Sequence, residues 1–190
     1  MSVDKLQSLT PQRGASPASD IAALRRLVAL GDRLARPERD LQGCLEAVLE
    51  AALFVTGAPR GNLQLFDGEG LRIAVQRGFE RPFLDFFAIV RNEEDSACGT
   101  ALEHAKRVMI HDINSSDIFV GTPALAVLLE AQVRAVVSTP LANSAGKVVG
   151  MVSTHFASPH TPSERELALL DLVARQAANY LERRASEELP

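Results

Sequence analysis

Residues 133–156 read V-R-A-V-V-S-T-P-L-A-N-S-A-G-K-V-V-G-M-V-S-T-H-F, two runs rich in β-branched residues around a polar turn. Side chains on a strand alternate between faces, so Val133, Ala135, Val137 and Thr139 share one face and Arg134, Val136, Ser138 and Pro140 share the other. Apolar groups on both faces predict an interior strand. Asn143-Ser144-Ala145-Gly146 supplies residues that tolerate positive φ and bond their own backbone, as a hairpin connection of this length requires. Residues 147–156 then return as an antiparallel partner, and Gly150 leaves room for a close neighbour or a bulge.

The hairpin leads into a helix predicted over residues 161–184. Thr161 stands as N-cap, Pro162 at the first helical position and Glu164 three residues after the cap. Leu167, Leu170, Ala174, Ala177 and Leu181 alternate at three and four, the spacing of a coiled-coil seam. At the other end, Ile21, Leu24, Leu27, Val28 and Leu34 recur at helical spacing after Asp20, which suits a cap. Pro37 suits the first turn of a second helix with the stripe Leu41, Leu45, Val48, Leu49 and Ala52, ending at Gly57.

Between these helices and the hairpin, residues 62–66 and 71–77 flank the turn Asp67-Gly68-Glu69-Gly70 and predict a second hairpin. Residues 81–90 carry Phe83, Phe86, Phe87 and Val90 at helical spacing. A short helix is expected from Ser96 to His104, a strand over 107–110, and a helix over 124–131. Residues 1–19, rich in Ser, Pro, Gln and Gly without a sustained period, read as a disordered lead-in, with the domain over 20–184 and a tail over 185–190.

With 190 residues, 46% of them apolar, the chain suffices for one domain with a sizeable core. The net charge of −4 and the scatter of basic residues argue against a nucleic-acid face. No apolar run approaches the ~20 residues that span a bilayer, and residues 1–14 lack a signal peptide's apolar stretch, so a cytoplasmic protein is expected. Two cysteines, Cys44 and Cys98, form neither a C-x-x-C pair nor a disulfide framework.

The order of elements, with A-C-G-T-A-L at 97–102, V-M-I-H-D-I at 108–113 and V-R-A-V-V-S-T-P-L at 133–141, resembles the GAF domain over about residues 40–184. G-x-x-S-T-H-F at 150–156 followed by P-S-E-R-E-L at 162–167 is similar to the GAF domains of bacterial sensor histidine kinases and related signalling proteins. The resemblance implies an α/β (α+β) fold, with an antiparallel sheet of about six strands and terminal helices on one face. On the other face, residues 79–131 would form a ligand-pocket lobe. It also implies sensing of a small molecule or redox state, a homodimer through the terminal helices, and a histidine kinase or other signalling output partner.

For that pocket the candidates are Phe83, Phe86, Phe87, Cys98, Thr100, Asp112, Phe119, Val137, Thr139 and His155. The phenylalanines suit an apolar wall. Cys98 opens a predicted helix, whose dipole and free N–H groups would favour a thiolate, although a buried packing residue is the simpler reading. Asp112 and Asp117 read either as ligand-binding carboxylates or as turn formers. The four histidines lack metal-ligand spacing, and no motif specific for haem, bilin or a cyclic nucleotide is present, which leaves the cofactor undetermined. A thiol enzyme of the free methionine sulfoxide reductase type, which needs resolving thiols, is the rival reading, and a pure dimerisation scaffold is another.

Overall fold

The computed structural model describes residues 17–36, 40–91 and 96–187. Of the lead-in expected over residues 1–19, residues 1–16 lie outside that range, as do the helix start at Pro37 and the last three residues, whereas residues 17–19 are not irregular but form the first turn of a helix. The elements are α1 (Pro17–Leu34), α2 (Leu41–Thr56), β1 (Arg60–Phe66), β2 (Leu71–Arg77), α3 (Arg81–Phe86), β3 (Ile89–Val90), α4 (Ala97–His104), β4 (Val108–Ile110), α5 (Pro123–Glu130), β5 (Ala135–Ala142), β6 (Val148–Phe156) and α6 (Glu164–Glu187). All strand pairings are antiparallel, in the order β3-β2-β1-β6-β5-β4.

The 133–156 hairpin forms β5 and β6, both interior, as apolar groups on both faces require. Its turn is closed by Asn143, whose Oδ1 accepts from the Ala145 and Lys147 N–H groups at 3.1 and 2.9 Å, with Gly146 at φ 77°. Gly150 sits opposite Leu141 on one side and Leu65 on the other. A Cβ there would lie 2.6 Å from the Gln64 carbonyl oxygen, so the close approach of β1 and β6 requires glycine.

The sheet separates two apolar cores. On one face α1, α2 and α6 bury Leu27, Leu45, Val48, Leu63, Val137, Val152, Val173 and Ala177. On the other, α3, α4, α5 and their connections bury Phe83, Phe87, Ala101, Ile113, Phe119, Leu128, Val136 and Met151.

Several local readings need correction. Residues 81–90 are not one helix: α3 stops at Phe86, and Ile89 and Val90 pair with Arg72 and Leu71 as an edge strand. The cap of α6 is Ser163, not Thr161. The Ser163 hydroxyl accepts from the Glu166 N–H at 3.3 Å while the Glu166 carboxylate accepts from the Ser163 N–H at 2.8 Å, a reciprocal capping box. Thr161 instead contacts His111 Nδ1 at 2.7 Å.

The α6 seam is spent within the chain. Leu170, Ala174 and Ala177 are buried against the helix-side core rather than presented to another coil. In α1 the stripe splits in two: Leu27 and Leu34, with Ala23 and Leu30, face the core, whereas Ile21, Leu24 and Val28 are exposed.

Candidate functional site

The lobe face of β1 and β6 carries polar side chains where a core face is expected. Asn62 and Gln64 alternate with the helix-side Leu63 along β1, and register places Asn62 opposite Ser153 and Gln64 opposite Met151. His155 stands between Arg60 of β1 and Val136 of β5. Phe83 of α3, Phe87, Val90, the start of α4 from Ser96 to Cys98, Phe119 and Leu128 of α5 roof this floor. The cavity measures about 20 Å³, room for roughly one water-sized group, which needs ~10–15 Å³. Anything larger requires the aromatic roof to move.

Asn62, Gln64 and His155 are 2%, 1% and 4% exposed. Their Oδ1, Oε1 and Nδ1 atoms have no hydrogen-bond partner among the described residues. Leaving a buried polar atom unpaired costs roughly 1–3 kcal/mol, and native structures tolerate few such atoms. Three around one cavity form a set of polar groups ready for a guest. Burial lowers the His155 pKa to about 3, so the imidazole is neutral at physiological pH. Phe79 and Phe83, stacked at 3.7 Å, both lie roughly perpendicular to its ring.

Cys98 lies at the edge of this cavity with Sγ 3.2 Å from Ser153 Oγ and 3.5 Å from Ser138 Oγ, and the two hydroxyls are 2.9 Å apart. Ser96 caps α4 by accepting from the Gly99 N–H at 2.9 Å. The helix start does not make Cys98 a thiolate: burial raises its pKa, outweighing the two hydroxyl contacts that act in the opposite direction. Cys44 is buried in the helix-side core, so the sheet stands between the two thiols and they do not pair.

Of the pocket candidates, Phe83, Phe87, Cys98, Phe119 and His155 are brought together around the cavity. The others are placed elsewhere. Val137 and Thr139 point to the opposite face, because the period-two alternation that puts Val136 and Ser138 over the lobe sends them to the helices. Thr139 Oγ1 accepts from Arg107 Nε at 3.0 Å, and Arg107 also pairs with Asp171 of α6. Phe86 is 45% exposed. Thr100 donates to the Ser96 carbonyl of its own helix at 3.0 Å. Asp112 pairs with Arg134 at 2.8 Å and accepts from the Asn114 N–H, and the guanidinium holds its carboxyl below the usual range. No group of three potential metal-ligating side chains gathers among the described residues.

The family's sequence profile, described as a GAF domain, matches residues 38–182. The chain belongs to the GAF domain family. Solved structures agree on the fold. A domain of a sensor histidine kinase protein of Sinorhizobium meliloti is 17% identical, with TM-score 0.66 over 79% of this chain and 96% of that one. The GAF domain of a phosphoenolpyruvate-protein phosphotransferase of Coxiella burnetii is 18% identical, with TM-score 0.69 over 92% and 100%. Free methionine-R-sulfoxide reductase of Neisseria meningitidis, solved with its substrate, is 17% identical, with TM-score 0.69 over 90% and 96%. At such identities the likeness concerns the GAF fold alone. No curated protein matches the chain.

Asn62, Gln64, Ser138 and Ser153 escaped the sequence reading of this GAF site. The available signal was the alternation N-L-Q-L in β1, where the polar residues fall on the face that the lobe covers. Alternation alone reads as a solvated face.

Proposed function

We propose that this GAF domain is a non-catalytic sensory module that takes an uncharged, polar small molecule into the cavity beneath Phe83, Phe87 and Phe119. It passes the bound state to the terminal helices in bacterial signal transduction. The observation that carries this reading is the trio of buried, unpaired atoms on Asn62, Gln64 and His155 around an apolar cavity. Among the described residues no charged side chain lines the cavity, and His155 is neutral there, which favours an uncharged group on the part of the ligand held inside.

Arg107 offers a route outward, since it joins Thr139 of β5 to Asp171 of α6. Ile21, Leu24 and Val28, spaced i, i+3, i+7 and 51%, 54% and 64% exposed, supply an unfilled heptad stripe for a second copy of the chain. Output then goes to a histidine kinase or comparable signalling partner.

The test is native mass spectrometry of the purified protein with and without Gln64→Leu and Asn62→Leu. A co-purifying molecule that is retained by the wild type and lost from both folded variants supports the reading. Equal retention by all three sinks it. For the dimer, Leu24→Glu should convert a light-scattering mass of two chains to one, and a wild type that is already monomeric removes that part.

A further inference from the structure

A second hollow of about 170 Å³ opens between α3 and the end of α5, lined by Arg60, Gly78, Glu80, Pro82, Phe83 and the 127–132 segment with Glu130. Phe83 lines this hollow and the inner cavity alike, so one aromatic ring is the partition between them.

Among the described residues the charged groups of the outer hollow have no counter-ion. Arg60 donates from Nε to the Gly78 carbonyl at 3.2 Å and from Nη2 to Gln132 Oε1 at 2.8 Å, both neutral acceptors. Gly78 is at φ 85°, and a Cβ there would lie 2.7 Å from Arg60 Cγ, so the turn is shaped to let the arginine cross it. Glu80 precedes α3 without capping it through its side chain, and Glu130 ends α5. Neither carboxylate forms an ion pair with Arg60.

One guanidinium and two carboxylates around a hollow disfavour a simple anion or cation and suit a guest that carries both charges. Beyond the partition, the unpaired Asn62 Oδ1 and Gln64 Oε1 are acceptors that call for a donor. Resting on the sensory reading above, we propose that the ligand is a free α-amino acid whose uncharged side chain ends in a hydrogen-bond donor. Its carboxylate exchanges with Gln132 at Arg60, its ammonium lies by Glu80 or Glu130, and its side chain passes a displaced Phe83 to reach Asn62 and Gln64.

Isothermal titration calorimetry of the full chain tests this with glutamine, asparagine and serine as probes. For whichever binds, the analogues lacking the α-ammonium, the α-carboxylate or the side-chain donor should each bind about tenfold or more weakly, as for a lost charge-assisted bond. Arg60→Gln should weaken the amino acid similarly while leaving its decarboxylated analogue unchanged, a pattern that general misfolding does not produce. Glutaramide binding as tightly as glutamine, and lost on Gln64→Leu, overturns the zwitterion and leaves the inner-cavity reading standing. Binding by none of the three amino acids overturns the amino-acid class, while the mass of a co-purifying molecule still tests the cavity.

Discussion

The two faces of the sheet solve different problems with the same strands. The helix side packs Leu63, Val137 and Val152 under three helices. The lobe side interleaves aromatic rings with Asn62, Gln64, His155, Ser138 and Ser153. The first arrangement is what a stable core selects, and the second gives up packing to hold polar groups out of water. Proteins tolerate such local cost where a guest later satisfies it.

The largest test of that contrast is acidification. With the His155 pKa held near 3 against the ordinary 6.5 of a free imidazole, the unfolded chain takes up a proton through the window from about pH 6.5 down to 3 while the folded one does not. Stability should therefore fall as pH falls through that window, by up to about 5 kcal/mol from this group. Urea titrations of wild type and His155→Gln at several pH values would show the difference, and parallel pH profiles would break the argument.

On the helix side, Leu63→Ala at a fully buried position should destabilise by about 3–4 kcal/mol. The opposite sign is expected across the strand: Gln64→Leu replaces an orphaned amide by an apolar group and should stabilise the unliganded protein by roughly 1–2 kcal/mol while abolishing ligand retention. Destabilisation by Gln64→Leu would mean that its amide is satisfied and the two faces are alike. Ser163→Ala removes a capping box remote from both cores and should cost about 1 kcal/mol by the same titration. Smallest of all, Cys98→Ser should shift stability by under ~1 kcal/mol, since the hydroxyl still reaches Ser138 and Ser153. In the wild type, slow iodoacetamide labelling of folded protein would accord with a buried thiol.

The fold was legible because local chemistry and global packing agree over most of the chain. The 133–156 hairpin, the apolar stripe of α2 and the family-like stretches all point to one sheet with helices on both sides. The site was less legible for a physical reason. A strand pattern states which residues share a face but not what covers that face, so Val137 and Thr139 were grouped with the wrong neighbours and nothing singled out Asn62 and Gln64 within their hairpin strand. Phe86 and Phe87 differ by one position in sequence and sit on opposite sides of the lobe's boundary, a distinction set by where α3 ends.

The pairing of β1 with β6 carries a consequence for how the chain reaches this state. Leu63 meets Val152 across the middle of the sheet, and the β2–β3 and β4–β5 wings are joined only through that seam. Closing so long a loop is entropically slow, and it cannot occur before residue 156 is available. A ribosome releasing this chain therefore holds two half-sheets with open edges until β6 arrives, and a truncation that removes β6 leaves material fit for aggregation rather than a smaller domain.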